Sequence, residues 1–314
     1  MSLSLRIFTE PQQGASYDDQ LAVTQRAEAL GFDAFFRSDH YLKMGDVSGL
    51  PGPTDSWVTL GGLARQTRRI RLGTLMTAAT FRFPGPLAIS VAQVDAMSGG
   101  RVELGIGAAW YQDEHRAYAI PFPPLGERFD RLEEQLAIIT GLWETPEGET
   151  FTHKGRHHSV IDSPALPKPV QRPRPPIIIG GAGPKRTPRL AATYADEFNG
   201  MFTPADRLAS DYERVDRACE AIGRDPATVV RSVAATVCIG ADHAELAHRA
   251  QRIGLPLDDL RAGGVAGLPD EAADKLADYA NAGATRIYLQ FLDLSDLEHL
   301  DMIASALAQT RSTP

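Results

Sequence analysis

Cysteine is scarce in this chain. Cys219 and Cys238 are the only two among 314 residues, with no Cys-x-x-Cys pair and no pair of histidines beside either of them. That excludes a disulfide-stapled scaffold and a cysteine-rich zinc centre, and makes a reduced, cytoplasmic protein the natural expectation. Basic residues are not in excess either: 32 lysines and arginines stand against 40 acids, a formal charge of −8. Broad nucleic-acid binding needs a basic face, so no nucleic-acid partner is expected. Long hydrophobic runs are missing. None approaches the roughly 18 apolar residues of a spanning helix, and Arg6 and Glu10 come too soon for the apolar core of a signal peptide. Neither secretion nor a membrane partner is expected. There is no low-complexity block, and 43% hydrophobic residues support a sizeable buried core. The length allows one large domain or two medium ones.

What is present is an alternation of short β-rich runs with longer helical ones. Strands are predicted over residues 3–9, 33–37, 70–76, 102–107, 177–179, 197–201, 229–239 and 285–291. Helices are predicted over 18–30, 55–66, 86–97, 127–143, from the glycines after 180 to 192, and over 204–222, 243–253, 270–282 and 294–309. Gly31 is a good residue to follow the first helix, Thr54 is the expected cap of the second, and Pro86 suits the first turn of the third. Residues 149–161 read as a polar hairpin. Six of the 22 prolines fall within 164–176, which excludes a helix there and reads as an extended connector. Eight strands separated by helices over about 300 residues fit a (β/α)8 TIM barrel with insertions, one domain spanning 1–314. A doubly wound open sheet is the alternative. The strand count and the missing Gly-x-Gly-x-x-Gly after the first strand weigh against it.

In such a barrel, the residues just after each strand surround the site. Strand two leads into Ser38-Asp39-His40, and a histidine there is placed to move a proton near neutral pH. A loop histidine that merely caps backbone is the plainer alternative. Strand three leads into Thr77-Ala78-Ala79, small residues that leave room for a flat ring or simply make a tight loop. Strand four gives Gly107 and then Trp110-Tyr111, which could wall an aromatic ligand or just pack, with Glu114 and His115 as further acid–base groups. Strand five leads into Gly180-Gly181-Ala182-Gly183-Pro184-Lys185-Arg186. A glycine-rich turn opening a helix presents free N–H groups and a positive dipole end, so it suits a phosphate. The pattern is not a P-loop, so ATP is not indicated. The other histidines supply no metal-ligand set, and no metal is expected.

Three segments together resemble the luciferase-like monooxygenase superfamily. They are Gly31-Phe32-Asp33-Ala34 with Ser38-Asp39-His40, Leu72 through Thr77, and Val94-Asp95-Ala96-Met97 followed by Ser98 through Gly107. Pro123 through Phe129 and Pro169-Val170-Gln171 through Gly181 extend the match, which covers about residues 1–240. The resemblance implies a (β/α)8 barrel that binds FMN or the deazaflavin coenzyme F420 at the C-terminal mouth. Ser38-Asp39-His40 resembles the F420-dependent branch, where the matching histidine and aspartate lie against the cofactor ring. The resemblance therefore implies an oxidoreductase moving a hydride between coenzyme F420 and a small-molecule substrate, with His40 and Asp39 catalytic. It places Ser38, Thr77, Ala78, Gly107, Trp110, Gly180, Gly181, Ala182, Gly183 and Lys185 around the cofactor. It also implies a non-prolyl cis peptide at Thr77-Ala78, and a homodimer. The alternative is an FMN-dependent monooxygenase fed by a separate reductase and using O2; a non-catalytic flavin-binding barrel is a third reading. Some deazaflavin dehydrogenases of this kind carry a glutamate soon after strand four. Here the nearest acids are Asp113 and Glu114, so the resemblance assigns Glu114 no role and a sugar-phosphate dehydrogenase is not favoured. Residues 43–53, 111–124 and 254–269 would select the substrate and hold no readable motif. The last reads as a mobile lid or a surface insertion.

Overall fold

The β-rich runs become the staves of a barrel, and the helical runs wrap it. The computed structural model describes residues 3–308. Its strands are β1 (Ser4–Thr9), β2 (Ala34–Arg37), β3 (Arg71–Ala78), β4 (Val102–Gly107), β5 (Phe151–Lys154), β6 (Ser159–Ser163), β7 (Ile177–Gly180), β8 (Glu197–Met201), β9 (Val230–Ile239), β10 (Val265–Gly267) and β11 (Arg286–Phe291). Eight of them pair in parallel in the order β1-β2-β3-β4-β7-β8-β9-β11, and β11 returns to β1. The ring is closed, which leaves none of its eight strands as an edge. The helices are α1 (Tyr17–Ala29), α2 (Ser56–Gln66), α3 (Pro84–Ser98), α4 (Gln112–Ala117), α5 (Leu125–Glu144), α6 (Arg186–Tyr194), α7 (Ala205–Glu220), α8 (His243–Ile253), α9 (Leu257–Gly263), α10 (Pro269–Asn281) and α11 (Leu297–Ala306). None of the described helices is long and apolar enough to cross a membrane.

The eight predicted strands are the eight staves. Four readings need correction. The segment 254–269 is neither lid nor plain insertion: it holds α9 and β10, and β10 adds in parallel to Val237–Ile239 of β9. Val265 and Ala266 are buried there, and a Cβ on Gly264 would lie 2.4 Å from the Thr236 carbonyl oxygen, so the segment is packed tightly onto the barrel. Thr54 does not cap α2. Asp55 does, accepting from the Trp57 and Val58 amides at 2.9 and 3.0 Å, while the Thr54 hydroxyl accepts from Arg37. The non-prolyl cis peptide is Leu75-Met76, not Thr77-Ala78. Strand β3 runs two residues further than predicted, so Thr77 and Ala78 stay in the ladder opposite Ile106 and Gly107; the register breaks between Thr74 and Thr77 instead. The closing helix spans 297–306 rather than 294–309, and residue 309 lies outside the described residues.

Two apolar layers hold the barrel. Between strands and helices lies the main core, with side chains such as Leu72, Val91, Leu136 and Leu289 fully buried. Inside the barrel, Phe8, Ala34, Phe36, Leu75, Ile178, Ala234 and Tyr288 fill the centre. Close packing there leaves no room at Gly105, where a Cβ would stand 2.0 Å from the Thr74 carbonyl oxygen. Toward the N-terminal ends of the strands the interior turns ionic, around Arg6 and Glu103.

The proline-dense segment is pinned rather than free. Asp95 of α3 is fully buried and accepts from the Val170 and Gln171 amides at 2.8 and 3.0 Å and from the Gln171 side chain at 2.7 Å. These bonds supply partners that proline backbone cannot provide for itself. Asp95→Ala should therefore cost about 3 kcal/mol of unfolding free energy, because three donors lose a charged acceptor at once. Urea unfolding of the two proteins measures it, and a loss under about 1 kcal/mol would contradict the pinning role.

Candidate active site

Arg37, the last residue of β2, fixes the turn that follows it. Its buried guanidinium donates to the Ser38 carbonyl at 2.9 Å and to Thr54 and Thr59 hydroxyls at 2.7 and 3.1 Å. That turn delivers Ser38, Asp39 and His40 to the C-terminal rim. His40 Nδ1 lies 3.0 and 3.1 Å from the two carboxylate oxygens of Glu114, which is 1% exposed on α4. The Tyr41 amide donates to the same carboxylate at 3.0 Å. A carboxylate only accepts, so Nδ1 carries the proton and Nε2 is left for a ligand. No partner for Nε2 occurs among the described residues. Burial pushes the His40 pKa down. The bond to Glu114 and the charges of Glu10, Glu114 and Asp39 outweigh it, and the result is a value above that of ordinary histidine.

Asp39 is more deeply buried than His40 and is tied differently. It pairs with Arg82 from the β3–α3 loop, which also bonds the Tyr41 hydroxyl at 3.0 Å and Asp55. Tyr41 in turn stacks on Phe81, ring centres 4.9 Å apart. Asp39 thus clamps two rim loops together. Ser38 donates to Gln12 Oε1 at 2.7 Å and is buried. The bond opens a chain across the rim: Gln12 Nε2 donates to Glu10 at 2.6 Å, Gln290 Nε2 donates to Glu10 at 3.1 Å, and Thr236 donates to Gln290 Oε1 at 2.6 Å.

The remaining candidates line the neighbouring arc formed by β3, β4 and β7. The Thr77 side chain is taken up internally, accepting from Trp57 Nε1 and donating to Thr74, both at 3.1 Å, so only its backbone is available. Ala78 is buried beside it. Gly107 ends β4, and Trp110 beyond it is 65% exposed, stacked on Tyr111 and edge-on to His40 at 5.7 Å. Gly180 ends β7, and a Cβ there would press 2.6 Å from Met76 Cε and 2.7 Å from the Asn199 carbonyl oxygen. Gly181 has φ +122°, a left-handed conformation that favours glycine. After Ala182 and Gly183 the chain enters α6, whose cap position is Lys185 and whose first turn receives no side-chain cap. Its leading N–H groups are therefore open to an anion. Lys185 is exposed. Arg186 is already committed, bonded to the Gly126 carbonyl at 3.0 Å and Asp130 at 2.6 Å. His115 is committed too: Nδ1 donates to the Tyr111 carbonyl at 2.6 Å and Nε2 accepts from Thr80 at 2.7 Å, and burial holds its pKa down. Among the described residues no group of three or more His, Cys, Asp or Glu could hold a metal ion.

The structure thus gathers the residues after strands two to five onto one rim. It adds four that the sequence reading did not single out as site residues: Glu10, Gln12, Arg82 and Gln290. Glu10 directly follows β1 and Gln290 is the penultimate residue of β11, so the strand-end rule applied to the first and last staves would have found both.

Comparison with known proteins agrees with this architecture. The family model of the luciferase-like monooxygenases matches residues 1–259. An F420-dependent glucose-6-phosphate dehydrogenase of Microbacterium testaceum is 37% identical over 173 residues, 55% of this chain and 49% of that protein. The matched stretch thus spans about half the length of that relative. A protein of the same name from Amycolatopsis mediterranei is 27% identical over 300 residues, 86% of this chain and 87% of that one. Among solved structures, an F420-dependent secondary alcohol dehydrogenase in complex with an F420-acetone adduct matches with a TM-score of 0.84 at 18% identity, covering 99% of this chain and 100% of that one. At that identity the likeness speaks for the fold alone. The length of the family match, over a closed (β/α)8 barrel, places this chain in the luciferase-like monooxygenase family.

Proposed function

We propose that the protein is an oxidoreductase that moves a hydride between coenzyme F420 and a small organic substrate at the C-terminal mouth of the barrel. The observation that carries this reading is the His40–Glu114 pair on the rim, with Nε2 left unpartnered. The names of the two relatives support the choice of cofactor. The chain's own groups fit such a molecule. The uncapped start of α6, Gly181, Gly183 and Lys185 suit its phosphate, and Trp110 with the small residues at the end of β3 leaves a flat ring a wall and a floor. The cofactor supplies the hydride chemistry when bound. His40 supplies or takes the accompanying proton at Nε2, since its other nitrogen is fixed on Glu114. Asp39 acts as a positioning residue, holding the β2 and β3 loops in register through Arg82. The family resemblance also supports a homodimer.

The test is a pair of melts. A ligand that binds only the folded state at a hundred times its Kd stabilises by about 2.7 kcal/mol. In a chain of this length that raises the melting temperature by roughly 4 °C. Coenzyme F420 should produce this shift and FMN should not. Stabilisation by FMN alone would replace this reading with a flavin monooxygenase served by a separate reductase.

A further inference from the structure

The geometry points to Glu10 as the residue that selects substrate charge, favouring a molecule with a protonated amine over a phosphate ester or a carboxylate. The inference rests on the proposal that the rim is the reaction site. Glu10 follows β1 directly, and both of its carboxylate oxygens are held in place. One accepts from Gln12 Nε2 at 2.6 Å and the other from Gln290 Nε2 at 3.1 Å. Neither amide can turn over at no cost, because their own oxygens accept from Ser38 at 2.7 Å and Thr236 at 2.6 Å. Hydroxyls and amides across β2, β1, β11 and β9 thus form one scaffold whose purpose, chemically, is to fix a single anion.

Every donor in that scaffold is neutral. It orients the negative charge without cancelling it, and no lysine or arginine pairs with Glu10 among the described residues. A cavity of about 610 Å³ adjoins the carboxylate, lined also by Gln290, Asp19, Asp46 and Asp293. Its one arginine, Arg252, is already bonded to Asp293 and to Ser295, both at 2.7 Å. With Asp293 and Arg252 offsetting each other, Glu10, Asp19 and Asp46 leave the wall net negative, and such a concave wall concentrates cations and repels anions. Glu10 also helps hold the His40 pKa up, so its field reaches the proton-transfer group. The open cradle for an anion, at the start of α6, follows β7 on the opposite arc of the barrel, so the two charge preferences do not conflict.

The test needs neither turnover nor cofactor. Calorimetric titration of the purified protein with benzylammonium, benzyl alcohol and benzoate compares three molecules of similar size that differ in charge. Benzylammonium should bind at least about tenfold more tightly than benzoate, with benzyl alcohol between them. Glu10→Gln keeps the size and one acceptor and should bring the ratio to within about twofold. In the unaltered protein, added salt should narrow the ratio, a readout independent of how well the variant folds. Benzoate binding as well as benzylammonium, no measurable binding of any of the three, or a ratio indifferent to both Glu10→Gln and salt would overturn the inference. A failure of the F420 melt with the charge preference intact would instead remove the proposed cofactor.

Discussion

His40→Ala is expected to lower turnover by about 10² to 10⁴, the range that a positioned proton donor contributes. F420 affinity should move by less than about tenfold, because most of the other cofactor contacts proposed for this site follow β3, β4 and β7. Steady-state kinetics with any substrate that supports turnover, set beside a direct titration of the cofactor, separates the two effects. Equal losses in both would make His40 a binding residue. The pH dependence supplies a second reading. The bond to Glu114 and nearby carboxylates raise the His40 pKa despite its burial. If protonated His40 is the donor, activity falls as pH rises through that raised value. Glu114→Gln removes the acceptor charge, so the falling limb should move to lower pH. The linked stability has the same sign: it is fully present below the ordinary histidine value and is lost as pH rises through the folded-state value. A pH profile unchanged in Glu114→Gln would show that the carboxylate only packs.

Much of this site was legible in the sequence because it obeys a local rule. Ser38-Asp39-His40, Gly107 to Trp110 and Gly180 to Lys185 each follow an apolar run, and the run itself announces the strand. What stayed hidden was relational. Glu114 sits 74 residues from His40, and nothing in the spacing says that a six-residue helix turns its carboxylate onto the imidazole. Arg82 and Asp39 are 43 residues apart and meet only because β2 and β3 are neighbours. The cis peptide was placed two residues late for a similar reason. Thr77 and Ala78 look like loop in isolation, yet their pairing with β4 keeps them in the strand. α9 and β10 were missed because seven helical and three extended residues are too short for a periodicity to declare itself. Tertiary packing settles such segments, not propensity.

The second large effect is expected far from the rim, at a pair whose sequence positions gave no warning. Arg6 and Glu103 stand 97 residues apart, on β1 and β4, and meet inside the barrel. The contact is bidentate, at 2.6 and 3.1 Å, and both residues are 2% exposed. Arg6 also donates to the Tyr288 hydroxyl at 3.0 Å and lies 5.4 Å from the ring centres of Phe36 and Tyr288, while Arg71 closes on Glu103 from β3. Burial raises the Glu103 pKa, but Arg6 and Arg71 overcome it and hold the carboxyl below the usual carboxylate range. Glu103→Leu leaves the Arg6 charge buried without its partner, which should cost about 3–5 kcal/mol. Replacing both, as Arg6→Met with Glu103→Leu, should recover most of that loss, because two apolar chains of similar volume escape the desolvation penalty. Urea unfolding of the single and double variants measures the coupling. A double variant no more stable than Glu103→Leu would mean that the pair is needed for shape rather than for charge balance. The acid limb offers an independent check. A depressed carboxylate contributes stability that is present above its unfolded value and lost as pH falls through the folded one, so the unaltered barrel should weaken on acidification by a term that the double variant lacks.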